Sequence, residues 1–116
     1  TMIFNKDGEL SLITGSPGGS LIPAAILRVV TGVIDFELDI GQATMLPRVH
    51  KDWPTTGILH ERTLNADSIR GIRNIGHKMT PEHTMGSTQS IHIVDGVNYG
   101  YADLRRPNAS VSTQAN

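Results

Sequence analysis

The chain has 116 residues, a net charge of −1, 38% hydrophobic and 4% aromatic residues, and no cysteine. One domain is expected, with a core built from Ile, Leu, Val, Ala and Met. Scattered arginines without a basic block argue against a nucleic-acid face, the lack of cysteine excludes disulfides, Cys-ligated zinc and a thiol nucleophile, and no apolar run reaches the ~18 residues of a membrane span.

The opening "TMIFNKDG" carries no signal-peptide pattern and reads as the interior of a longer protein. "MIFN" and "ELSLITG" predict a β-hairpin around Asp7-Gly8. Leu10, Leu12 and Thr14 fall on one face, Ser11 and Ile13 on the other. Apolar residues on both faces predict a strand covered on both sides. Residues 20–36 predict a helix, with Ser20 as its cap and Pro23 in its first turn. Arg28, Thr31, Gly32 and Asp35 share one stripe, so this helix is expected to be mostly buried, with only that strip in water.

"LDIGQATMLP" predicts a second, short helix capped by Asp39 and stopped by Pro47. "RVHKDW" and "GILHE" predict two strands joined by the "PTTG" turn. "NADSIRGIRNIGHKM" predicts an amphipathic helix capped by Asn65, with Ile69, Ile72 and Ile75 inward and Gly76 closing it. "STQSIHIVDG" and "VNYGYAD" predict a closing hairpin, and the small polar tail from Asn108 is expected to be loose. This order, two strands, two helices, two short strands, a helix and two strands, is that of an α+β or layered α/β domain.

The junction between the first hairpin and the first helix is "GSPGG". Glycine N–H groups can approach another group closely, and the first N–H groups of a helix have no internal partner. Gly18 and Gly19 thus make a candidate anion site, for a phosphate or for the oxyanion of a tetrahedral intermediate. A tight connection with no chemistry would use the same glycines. A nucleotide loop would need a Lys-Ser/Thr pair after them, and none follows.

"LITGSPGGS" and the apolar helix behind it resemble the small subunit of γ-glutamyltranspeptidases. The likeness continues in order through "VIDFELDIGQAT", "LPRVHKDW", "GHKM", "TMGSTQSI" and "YGYADLRRP", and covers residues 2–108. It implies an α+β fold, part of the αββα sandwich of N-terminal-nucleophile hydrolases, with mainly antiparallel sheets and helices packed on them. It implies an enzyme that cleaves or transfers γ-glutamyl groups of glutathione-type amides through a threonyl acyl-enzyme. In that family the glycines of "PGG" form the oxyanion hole, which carries over to Gly18 and Gly19. The family's Thr-Thr-His-type nucleophile segment, its substrate-holding Asn, Glu and Asp residues and its Ser-Ser-Met-x-Pro segment have no counterpart here. Leu104 stands where the family has the proline of "DPR", and Val49 and Lys51 vary its "R-x-H" segment.

The resemblance therefore implies that residues 1–108 are the C-terminal part of a small subunit, followed by a polar tail over 109–116. The implied partners are the rest of the parent enzyme and a γ-glutamyl substrate such as glutathione, with a periplasmic or extracellular setting for the parent. No cofactor, metal or nucleic acid is implied. An association module without chemistry, which could form homo-oligomers through its apolar helix, is the alternative, as is a phosphate-binding domain.

The other polar residues are read structurally. Thr1 could use its own α-amino group as a nucleophile's base, but "TMIFNKDG" resembles the hairpin strand. Ser16 and Ser20 lack the G-x-S-x-G elbow. His50, His60, His77, His83 and His92 lack metal-ligand spacing. Arg48 and His50 are expected to bond nearby loops, the hydroxyls of "GSTQS" to satisfy backbone groups, and Asp103, Arg105 and Arg106 to form ion pairs that fix the C-terminal segment, worth only ~0–1 kcal/mol each where exposed.

Overall fold

A computed structural model of the chain describes residues 1–55 and 57–113. Thr56 of the expected "PTTG" turn and residues 114–116 of the tail lie outside the described residues. The chain is α+β, with two sheets. The first sheet is antiparallel, in the order β1-β2-β6-β7, formed by β1 (Met2–Phe4), β2 (Leu10–Gly15), β6 (Gln89–Val94) and β7 (Val97–Ala102). Both expected hairpins form. The β1–β2 turn uses Gly8 at φ 81°, and the β6–β7 turn uses Asp95 and Gly96 at φ 51° and 77°, the positive values a two-residue hairpin loop requires.

Helices α1 (Ile22–Ile34) and α2 (Ile40–Met45) pack on this sheet, α1 against β2 and α2 against β6 and β7. Their shared core is Leu12, Val29, Val33, Ile40 and Ala43, with Ile3, Leu38 and Tyr101 at its margin. The short α2 is set by a complete capping box: Asp39 accepts from the Gln42 N–H at 2.8 Å, and Gln42 accepts from the Asp39 N–H.

Two expectations for α1 are corrected. Ser20 does not cap it, because a 3-10 turn over Gly19–Leu21 precedes the helix and no side chain caps either element. The exposed strip is also different. Gly32 is buried, and a Cβ there would lie 2.8 Å from the Ala43 Cβ. Its missing side chain lets α2 approach. Leu27 and Ile34, seven residues apart on one stripe, are instead 61% and 53% exposed.

The second sheet has the order β3-β4-β5, formed by β3 (Val49–His50), β4 (Gly57–Glu61) and β5 (Lys78–Glu82). β3 and β4 are antiparallel, as expected, while β4 and β5 are parallel and joined through α3 (Ala66–Asn74). Asn65 caps α3 by accepting from the Ser68 N–H at 2.7 Å, and Gly76 at φ 97° closes the segment. The expected helix through Met79 is thus too long. Residues 78–82 form a strand that the sequence reading did not anticipate. Ile69 and Ile72 are half-buried, but Ile75 follows the last helical turn and is 74% exposed. Among the described residues, no helix is long and apolar enough to cross a membrane.

Candidate active site at the glycine turn

β2 ends at Gly15, and the chain turns through Ser16, Pro17, Gly18 and Gly19 into the 3-10 turn and α1. Gly18 has φ 139° and Gly19 φ 58°. L side chains rarely adopt such values, so the conformation selects glycine at both positions. Both residues are exposed. The Gly18 carbonyl accepts from the Leu21 N–H at 3.1 Å. Among the described residues, no acceptor pairs with the N–H of Gly18 or of Gly19. Two free N–H groups thus stand at the start of a helix, where its dipole adds partial positive charge.

The turn is backed by the loop before β6. The Ser87 N–H donates to Ser16 Oγ at 2.9 Å, and that hydroxyl donates to the Pro17 carbonyl at 2.8 Å. Gly86, at φ 70°, lies against the turn. A Cβ on it would sit 2.7 Å from Ser16 Oγ and 3.0 Å from the Ala25 Cβ, while one on Gly18 would come to 3.5 Å from the Gly86 Cα.

That loop is in turn fixed by four buried charges. Arg48, after α2, donates through Nη1 to the Met85 carbonyl at 2.6 Å and through Nη2 to Asp103 Oδ2 at 2.7 Å, Thr88 Oγ1 at 3.2 Å and the Thr44 carbonyl at 3.3 Å. Glu61, at the end of β4, accepts from the N–H groups of Arg48 and Met85 at 3.0 and 2.9 Å. It also accepts Arg105 Nε and Nη2 at 2.6 and 2.7 Å. Asp103 accepts the Thr88 and Arg105 N–H groups at 2.9 and 3.0 Å. Two positive and two negative charges balance, which is the condition for burying them.

Burial by itself would raise the Glu61 and Asp103 carboxyls. For Glu61 the hydrogen bond from Arg105 and the two N–H donors outweigh it, and for Asp103 the Arg105 and Thr88 N–H groups and Arg48 do, so both are held below the usual carboxylate range. Burial, then the neighbouring Arg105, pulls Arg48 below its ordinary value, and Asp103 offsets part of this. Burial also acts against Arg105, but Glu61 and Asp103 overcome it and raise its pKa.

The expected ion pairs of Asp103 and Arg105 therefore form, but they are buried rather than exposed, and Arg106 is exposed and outside the network. Arg48 bonds loops, as expected. His50 bonds Asp52, its Nε2 lying 2.8 Å from Oδ1. The hydroxyls of "GSTQS" bond side chains rather than the expected backbone groups: Thr88 with Arg48 and Asp103, Ser87 with Gln89, and Ser90 with Thr14 at 2.8 Å. His60 is buried with Nδ1 on the Glu61 carbonyl, His92 is half-buried, and His77 and His83 are exposed. Thr1 continues the first hairpin through a bond from the Thr14 N–H to its carbonyl at 3.0 Å.

The sequence reading passed over Glu61, Gly86 and Asp52. No alternation in β4 marks Glu61, since burial there rises along the strand and His60 beside it is buried too.

The match to a family model described as γ-glutamyltranspeptidase spans residues 1–113. The glutathione hydrolase proenzyme of Escherichia coli is 40% identical over 104 residues, which is 89% of this chain and 18% of that protein. The chain thus spans about a fifth of that relative's length. A solved γ-glutamyltranspeptidase mutant from Helicobacter pylori superposes with a TM-score of 0.86 at 30% identity, covering 91% of this chain and 59% of that one. A cephalosporin acylase from Bacillus halodurans has a TM-score of 0.88 at 23% identity, covering 97% of this chain and 22% of that one, a likeness of fold alone.

The two sheets with helices packed on them have the fold of the N-terminal-nucleophile hydrolases. Within that class, the chain belongs to the γ-glutamyltranspeptidase family.

Proposed function

We propose that residues 1–108 form the C-terminal part of the small subunit of an enzyme that cleaves or transfers γ-glutamyl groups of glutathione-type amides, and that Gly18 and Gly19 supply its oxyanion hole. The observation that carries this reading is a glycine turn of positive φ ahead of α1, on two exposed residues whose N–H groups meet no acceptor among the described residues.

In the proposed reaction a threonine hydroxyl from another part of the enzyme attacks the γ-carbonyl carbon. Its proton passes to the threonine's own α-amino group. The carbonyl π electrons move to oxygen, and the Gly18 and Gly19 N–H groups receive that oxyanion. The carbonyl re-forms as the C–N bond breaks, and the departing amine takes the proton. Water, or the amine of a second molecule, then attacks the ester to release glutamate or a new γ-glutamyl amide. Fixed donors aimed at developing charge contribute on the order of 3–4 kcal/mol each.

The rest of the enzyme is the proposed partner. Leu27, Ile34 and Phe36 on and after α1, 61%, 53% and 65% exposed, support a covering layer there. A periplasmic or extracellular setting accompanies this reading by family likeness. The test is release of p-nitroaniline from γ-glutamyl-p-nitroanilide by the full-length protein. Wild type is expected to turn over and Gly18→Pro to lose orders of magnitude in kcat, whereas normal turnover by the variant overturns the assignment.

A further inference from the structure

The two glycines that shape the turn also make it soft, because each has the widest backbone freedom of any residue. N–H groups that must meet an oxyanion need anchors on both sides. On the N-terminal side the anchor is Ser16, held by the Ser87 N–H. On the C-terminal side the residue after Gly19 is Ser20, whose hydroxyl donates to Asp52 Oδ2 at 3.4 Å. The other oxygen of that carboxylate pairs with His50 Nε2 at 2.8 Å. His50 lies on β3, opposite Leu59 of β4, with its side chain 11% exposed. Two hydroxyls thus bracket the glycine pair, each tied to a different part of the molecule.

We propose that Asp52 is a positioning residue for the oxyanion turn: through Ser20 it fastens the Gly19 end of the turn to His50 on β3. The hydrogen bond from His50 is the chief reason why the Asp52 carboxyl is held below its usual range, with Ser20 adding to it. Asp52 shares a cavity of about 250 Å³ with Thr55, Lys78 and Thr80. Lys78 makes no bond to the turn, so it serves as a control for the local charge. The inference rests on the oxyanion reading of Gly18 and Gly19.

The test is a double-mutant cycle in the full-length protein with Ser20→Ala, Asp52→Ala and the pair, read by kcat and KM on the γ-glutamyl anilide and by hydrogen exchange at the Leu21 amide. Misplaced donors act on the transition state. Each single variant is expected to lower kcat on the order of 10-fold, less than outright loss of a donor. KM stays within about twofold. The double variant falls no further than Asp52→Ala, Ser20→Thr restores kcat, and Lys78→Gln leaves it unchanged. Exchange at Leu21, whose N–H holds the Gly18 carbonyl, quickens in the Ser20→Ala and Asp52→Ala variants. Losses that multiply independently, or kcat and exchange that do not move, overturn the role of Asp52. Wild-type protein that releases no anilide overturns the proposed function instead, and exchange at Leu21 still decides whether Asp52 anchors the turn.

Discussion

Arg48 Nη2 lies 2.7 Å from Asp103 Oδ2, and the two side chains are 1% and 0% exposed. They are 55 residues apart in the chain. Their pairing brings the segment after α2 to the end of β7, and it captures Met85 and Thr88 between them. The loop that backs the glycine turn is therefore held by charge rather than by apolar packing alone.

Removing one partner leaves a buried charge uncompensated. Asp103→Ala is expected to destabilise the full-length protein by about 3–5 kcal/mol, read as a lower denaturant midpoint. A change below ~1 kcal/mol would mean that Arg48 finds other acceptors or water.

The depressed carboxyls give the pH dependence its sign. Glu61 and Asp103 titrate lower in the folded protein than in the unfolded chain, where carboxyls titrate near about 4. Below that value the unfolded chain binds more protons, so stability falls as pH falls through the folded values. The denaturant midpoint is expected to stay nearly level from about pH 7 to pH 5 and to drop below about pH 4. Asp103→Asn should flatten the drop. A loss beginning near pH 6 would point to histidine instead.

Gly86→Ala places a Cβ 2.7 Å from Ser16 Oγ at a φ of 70°. The bond from Ser87 to Ser16 must then give way. The expected results are a stability loss of about 1–3 kcal/mol and a fall in kcat on γ-glutamyl anilide. Thermal unfolding and kinetics on the same sample check both.

Gly32→Ala acts away from the site. Its Cβ would meet the Ala43 Cβ at 2.8 Å and force α1 and α2 apart. Overpacking of this kind costs about 1–3 kcal/mol. A thermal midpoint equal to wild type would contradict the close approach of the two helices.

What the sequence made legible was local. The DG turns, the capping residues Asp39 and Asn65, and the glycine turn after β2 each follow from a few adjacent residues with a definite backbone demand. Strand β5 was hidden because it runs through Pro81, a residue strands seldom hold, and its pairing with β4 is parallel and reached only through α3. The ion pairing of Asp103 with Arg105 was legible, but its burial and its extension to Arg48 and Glu61 were not, because only tertiary pairing brings the four charges together. Gly32 was misplaced because a missing side chain looks polar in a helical pattern, whereas in the fold it admits a neighbouring helix. Asp52 carries no signal of its own, since its partners Ser20 and His50 come from separate elements.

The most direct test of the central claim is a crystal structure of the full-length protein carrying a γ-glutamyl analogue trapped as a tetrahedral adduct. The expected result is the adduct's oxygen within about 2.7–3.1 Å of both the Gly18 and the Gly19 nitrogen. An adduct oxygen held by other donors, with both glycine N–H groups turned to solvent, would contradict it.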